Sequence, residues 1–348
     1  MSHTQDVSRE WPGVNARRKT IAYFQWLRAL GALSIVLLHA FITMHRIPDI
    51  KIDPTFRMVE AILSISLTRW AVPVFFMMSG ALMLDPEREL GWSKMLRHIW
   101  RLVFVLLTFG YAFCLIESVW SGNSLSLKVA FGAFCNLLTE HSWDHMWFVY
   151  DLLAFYTVTP LIRPWVTRAS REEYGRVALA VVLLLLGTRL LSKNLPGVIY
   201  RGPSIQHCFA YYFIGSYVHR YLKLNRWWLL AGLASLGFML VAVLVFGWSW
   251  VTDPIRGIVL PYAVLVMLLA KHFLVRPETE VPPVALLADY SFGIYLLHPL
   301  FQHLLALSSE VAHAPTFVAD IVMVVIPLVL SVVCVRVLRL IPVFADKV

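Results

Sequence analysis

Charge is scarce in this sequence. Asp, Glu, Lys and Arg make up 15% of 348 residues against 59% hydrophobic ones, and a mean hydropathy of +0.70 excludes a chain that stays soluble as one globule. Cysteine is scarcer still. Cys114, Cys135, Cys208 and Cys334 show no C-x-x-C spacing and sit in or beside apolar runs, which excludes a disulfide framework and a zinc site and leaves small buried hydrophobes. No cluster with metal-ligand spacing stands elsewhere, so neither a metal nor a bound cofactor is expected. Internal repeats and low-complexity tracts are lacking too, as is an A-x-A cleavage site behind the first apolar run. Arg28 interrupts that run, so it reads as a membrane span and not as a signal peptide. The net charge of +9 would suit a nucleic acid only on a soluble domain with a basic face, and no such domain is legible. Basic residues gather in short loops between apolar runs, the pattern of membrane orientation.

What is present is a series of apolar runs long enough to cross about 30 Å of hydrocarbon. They fall at about 21–44, 58–84, 99–120, 145–163, 176–193, 204–222, 227–247, 255–274, 288–307 and 317–340. The expected fold is therefore an all-α, polytopic membrane helical bundle of about ten spans. A shorter amphipathic stretch, Leu125 to Leu138, is expected to lie on the membrane surface. With the N-terminus cytoplasmic, twenty of the 30 basic residues fall inside, eight outside, and Arg28 and Arg69 within spans. This asymmetry predicts an N-in, C-in multi-pass membrane protein. Residues 1–20 and 341–348 read as cytosolic tails around one domain, 21–340.

A charge at mid-membrane costs at least ~2.5–3.5 kcal/mol on insertion scales, so the few intramembrane polar groups are informative. They are Arg28, His39, Arg69, Glu117, His145, Asp151, His207 and His298. Arg28 and His39 are eleven positions apart, which returns them to within about 20° on one helix face and separates them by about 16 Å along the axis. Arg28 falls near the cytoplasm and His39 in the outer half. An arginine fork binds phosphate, and a neutral histidine takes the proton of an attacking hydroxyl. The competing reading has Arg28 snorkelling to lipid headgroups and His39 packed between helices.

Arg28, ten residues and then His39 resemble the R-x10-H signature in the first helix of the acyltransferase-3 family of bacterial membrane enzymes. Three further segments agree. Arg69-Trp70-Ala71-Val72-Pro73-Val74-Phe75-Phe76-Met77-Met78-Ser79-Gly80 resembles the family's R-x-x-V-P-x-F-F-x-x-S-G helix. His145-Met146-Trp147-Phe148, followed by Tyr156 and Pro160, resembles its H-x-W-F segment. Ser291-Phe292-Gly293-Ile294-Tyr295-Leu296-Leu297-His298 resembles its S-F-x-I-Y-x-x-H helix. The match runs in order over about residues 22–340 and is similar to short members that O-acetylate surface glycans such as enterobacterial common antigen, without the SGNH-hydrolase-like domain of longer members. The resemblance implies a donor, acetyl-CoA or another acyl-CoA, and an acceptor hydroxyl on a cell-surface or lipid-linked glycan. It makes His39 the catalytic histidine and Arg28 its companion. The other implied partners are membrane lipid and either an accessory acyl-transfer protein or a second copy of the chain.

Several expectations follow for the remaining residues. Pro73 permits a bend beside Arg69, and that cation suits a developing oxyanion. Ser79 and Gly80 let a thioester or a neighbouring helix approach, and close helix packing explains them equally well. His145 and Asp151, six positions apart, point about 120° from each other. Asp151 is expected to neutralise Arg69 or Arg28 across the bundle. Glu117 either binds acceptor hydroxyls or faces water. Tyr295 and His298 share a helix face and are placed to orient His39 or the acyl carbonyl. Catalysis is thus assigned to His39, Arg28, His298 and Tyr295, and substrate binding to Arg69, Ser79, Glu117, His145, Trp147 and Asp151. The tryptophans, among them Trp11, Trp143, Trp248 and Trp250, are read as interface markers and not as a sugar platform. His39 acts as general base or as acylated nucleophile, two routes that sequence does not separate. A transporter or flippase of lipid-linked saccharides is the rival function.

Overall fold

The computed structural model describes residues 22–47, 53–139, 142–143, 145–194, 205–253, 257–274 and 281–348, without the side chains of 185–194 and 205–207. The expected tail 1–20 and the side chain of His207 lie outside the described residues. Within them every regular element is helical. The helices are α1 (Ala22–Met44), α2 (Pro54–Leu63), α3 (Ala71–Met83), α4 (Trp92–Val105), α5 (Tyr111–Trp120), α6 (Leu127–Leu138) and α7 (Trp147–Arg168). They continue with α8 (Arg171–Asn194), α9 (Ile205–Tyr221), α10 (Arg226–Leu244), α11 (Leu260–Phe273), α12 (Pro282–Ala306), α13 (Ser309–His313) and α14 (Thr316–Leu338). Among the described residues six stretches are long and apolar enough to cross a membrane: α1, Pro54–Met83, Trp92–Trp120, α10, α12 and α14. The other four expected runs are helices as well, α7, α8, α9 and α11.

The bend expected at Pro73 is placed differently. The second span breaks earlier, in a π-helical turn at Ser64–Thr68, and α3 starts afresh at Ala71. Thr68 donates its hydroxyl to the Ser64 carbonyl at 2.5 Å, and such back-bonding competes with the helical ladder. Pro73 then falls in the first turn of α3, where its missing N–H is no loss. A second π turn, Leu106–Gly110, joins α4 to α5. There Thr108 donates to the Phe104 carbonyl at 2.8 Å. Single π turns recur at functional sites, and Arg69 lies directly behind the first.

Backbone contact sets the packing of α3 on α9. A Cβ at Gly80 would sit 1.7 Å from the Tyr212 carbonyl oxygen, and one at Gly215 would sit 2.1 Å from that of Met77. Lipid offers no hydrophobic drive between helices, so close approach over small residues supplies the attraction. Gly80 is thereby explained by packing. α1 runs through the middle of the bundle, against α3, α11, α12 and α14.

One end of the bundle is basic, and its cations close helix ends. Lys271 donates to the carbonyls of His219 at 2.6 Å and Leu222 at 2.8 Å, groups left without partners where α9 stops. Arg220 reaches Val166 at the end of α7, and Arg163 donates to Asp85 and Arg88 behind α3. Residues 341–348 turn back over this end, where the Lys347 carbonyl accepts from Arg101.

Candidate functional site

The opposite end of α1 opens into a cavity of about 500 Å³. His39 from α1, Arg69 behind the π turn, Glu117 and Trp120 from α5, His145 and Trp147 around the start of α7, and Tyr295 from α12 all line it. His298 is 0% exposed behind them. Its Nε2 lies 2.8 Å from Nδ1 of His39, and its own Nδ1 lies 2.8 Å from the Ile294 carbonyl oxygen. These partners assign the tautomers. A carbonyl oxygen only accepts, so His298 Nδ1 carries the proton and its neutral ring accepts at Nε2. His39 then donates from Nδ1, which leaves the basic lone pair on Nε2 of the ring that lines the cavity.

The backbone under this pair is pinned by a residue the sequence reading passed over. Gln302, one turn beyond His298, donates to the Val36 carbonyl at 2.9 Å and the Met323 carbonyl at 3.1 Å, tying α12 to α1 and α14. Its signal was available, since an amide four positions from a buried histidine in an apolar run needs partners.

Tyr295 does not orient His39. Its hydroxyl donates to the backbone carbonyl of His145 and so holds the turn before α7. His145 sits in that turn and not on the helix where it was expected. Its ring lies 6.3 Å from that of His39, 6.2 Å from His298 and 5.5 Å from Tyr295, and its buried Nε2 has no hydrogen-bond partner among the described residues.

Asp253 lines the cavity together with Arg69, while buried Asp151, expected opposite Arg69 or Arg28, lies with Cys208 and Tyr295. Arg69 also donates to Ser64 Oγ at 3.5 Å. Arg28 and Ser79 are not among the cavity's lining residues. They belong with Tyr156 toward the basic end, where Arg88, Arg101 and Asp289 also act on this group. Arg46, Trp143, Asp253 and His303 line the cavity too, and the sequence reading assigned neither them nor Trp120 to the site.

The family model for the acyltransferase domain, acyltransferase-3, matches residues 21–336. This chain belongs to the acyltransferase-3 family. No curated protein and no solved structure matches it. Membership makes it a membrane acyltransferase, and its two polar regions stand at opposite ends of a continuous column of rings. Tyr295 meets Phe148 at 5.4 Å, Phe148 meets Phe76 at 4.5 Å, and Phe76 meets Phe155 at 5.3 Å. Phe155 meets Tyr212 at 5.4 Å, and Tyr212 meets Tyr156 at 6.5 Å. In this acyltransferase-3 protein the histidine pair and the Arg28 region are thus separated by packed aromatics.

Proposed function

We propose that this chain is an O-acyltransferase that moves an acetyl or other short acyl group from cytoplasmic acyl-CoA to a hydroxyl of a cell-surface or lipid-linked carbohydrate. It works in a bacterial inner membrane, with about ten spans and both ends cytoplasmic. The observation that carries this reading is the His39–His298 pair, whose hydrogen-bond order puts the base on the ring of His39, a residue that lines a cavity large enough for a sugar. Ordered from Ile294 through His298 to His39, it has the base-and-orienter logic of nucleophile activation.

In the reaction, His39 Nε2 takes the acceptor hydroxyl's proton as its oxygen attacks the thioester carbonyl. The imidazolium so formed keeps its Nδ1–H on His298. Arg69 faces the developing oxyanion. Collapse breaks the C–S bond, and His39 returns the proton to the departing CoA sulfur, giving an ester and free CoA. On the donor side, Arg28, with Arg88 and Arg101 nearby, suits the phosphates of CoA, and the basic end of the bundle favours their approach from the cytoplasm.

The direct test is CoA release from acetyl-CoA by purified protein in nanodiscs, with and without a membrane glycan extract. Release matched by acetyl ester on the extract is expected. No release with any short acyl-CoA, from protein that elutes as a single folded species, would overturn the reading.

His298→Ala is expected to lower kcat about 10²-fold, because His39 loses the acceptor that fixes its tautomer, an effect at the low end of general acid–base contributions. The KM for acyl-CoA should change little. An unaltered kcat would remove His298 from the mechanism.

A further inference from the structure

We infer that the Trp120 ring, backed by Trp143 and His303, is the platform on which a pyranose of the acceptor stacks, with Glu117 accepting from its hydroxyls. This rests on the acyl-transfer reading and assigns the acceptor half of that cavity.

The geometry is that of a prebuilt flat wall. Trp143 is 8% exposed, stacked on Phe113 at 4.6 Å with 7° between the rings and on His303 at 4.8 Å with 24°. Trp120 continues the stack at 5.7 Å and 27° from Trp143, and at 6.3 Å and 22° from His303. It remains 45% exposed while lining the cavity that contains His39. Trp248 and Trp250 are exposed to a similar degree but stack on each other at 6.2 Å and are no part of the cavity lining.

The ring is held where it is by the end of its helix. Gly122, at φ 85°, supplies the left-handed residue that closes α5. The Gly122 N–H bonds the Val119 carbonyl at 3.0 Å, and the Asn123 N–H bonds that of Ser118 at 3.2 Å. Glu117 precedes Trp120 by three positions and so shares its helix face. Both line the cavity.

A pyranose has a face of C–H bonds and a rim of hydroxyls, so it needs a flat apolar surface with an acceptor at its edge. A fixed ring beside a carboxylate provides both, with little ordering cost on binding. The cavity of about 500 Å³ falls within the ordinary range for small-molecule sites.

The experiment uses the full chain in nanodiscs of phosphatidylethanolamine and phosphatidylglycerol, because maltoside detergents are themselves sugars. Methyl β-glycosides of glucose, galactose, mannose and N-acetylglucosamine are examined by saturation-transfer difference NMR, without any acyl donor. Transfer to at least one glycoside is expected in the parent, lost in Trp120→Ala, largely restored in Trp120→Phe and unchanged in Trp248→Ala. Where the glycan assay shows turnover, Trp120→Ala should raise the acceptor KM about 30-fold, the scale of truncating a well-placed aromatic anchor, and alter kcat far less. Absent transfer for all four glycosides, or equal transfer in Trp120→Ala and the parent, overturns the platform. Trp120-dependent transfer without CoA release would leave the platform standing and the acyl-transfer reading lost.

Discussion

His39→Ala is expected to reduce glycan acylation by about 10³-fold or more, since it removes the only group in the proposed route that accepts the hydroxyl proton and later protonates the leaving sulfur. Folding should survive. His298 Nε2 would lose its donor, and an unsatisfied buried acceptor costs about 1–3 kcal/mol, which the bundle's extensive packing can absorb. His39→Gln separates the two effects more cleanly, because its amide can still donate to His298 while offering no base. Both variants should elute as the parent does and release almost no CoA. Substantial acyl transfer by either one, in correctly inserted protein, would sink the catalytic assignment.

Gly215→Val should abolish folded protein, and Gly80→Ala should lower its melting midpoint sharply. The new Cβ atoms would meet carbonyl oxygens of the opposing backbone at 2.1 Å and 1.7 Å, and the nearest atoms at both positions are backbone, which cannot swing aside as the end of a flexible side chain could. Ordinary overpacking costs about 1–3 kcal/mol, and here two helices must separate along their seam, so a loss of at least about 3 kcal/mol is expected. Fluorescence-detected size exclusion after a heating series measures it. A midpoint unchanged from the parent in Gly80→Ala would show that α3 and α9 are not held by this contact. The loss would extend to chemistry, since α3 carries Phe76 in the ring column and begins beside Arg69.

Much of this arrangement was legible in the amino-acid order. Each expected apolar run overlaps helix, and among the described residues six stretches are long and apolar enough to cross a membrane, because a lipid environment leaves so little choice of composition. His39 and His298 stood out for the same reason, as polar groups too costly to bury without purpose, and the structure brings them together. What was illegible depended on pairing between helices. Nothing in the order of residues says that Gly80 meets Tyr212 and not a substrate, or that Asp253, over 180 residues away in sequence, shares a cavity with Arg69. Pro73 drew attention as a breaker, whereas the break belongs to the hydroxyl of Thr68. Trp143 looked like an interface marker because composition cannot distinguish an indole turned toward lipid from one sandwiched between Phe113 and His303.

The ring column from Tyr295 to Tyr156 has an electrical consequence. A cell membrane stores about 2.3 kcal/mol per elementary charge for each 100 mV across it. A cavity lined by histidines, set opposite a basic end of the bundle, would form a short circuit for protons if water joined the two. Five ring contacts in series take the place of that water. On the proposed route, a thioester arm that crosses the bundle would have to fit between the rings as a stopper fits a neck, so that the voltage across the membrane survives each turnover.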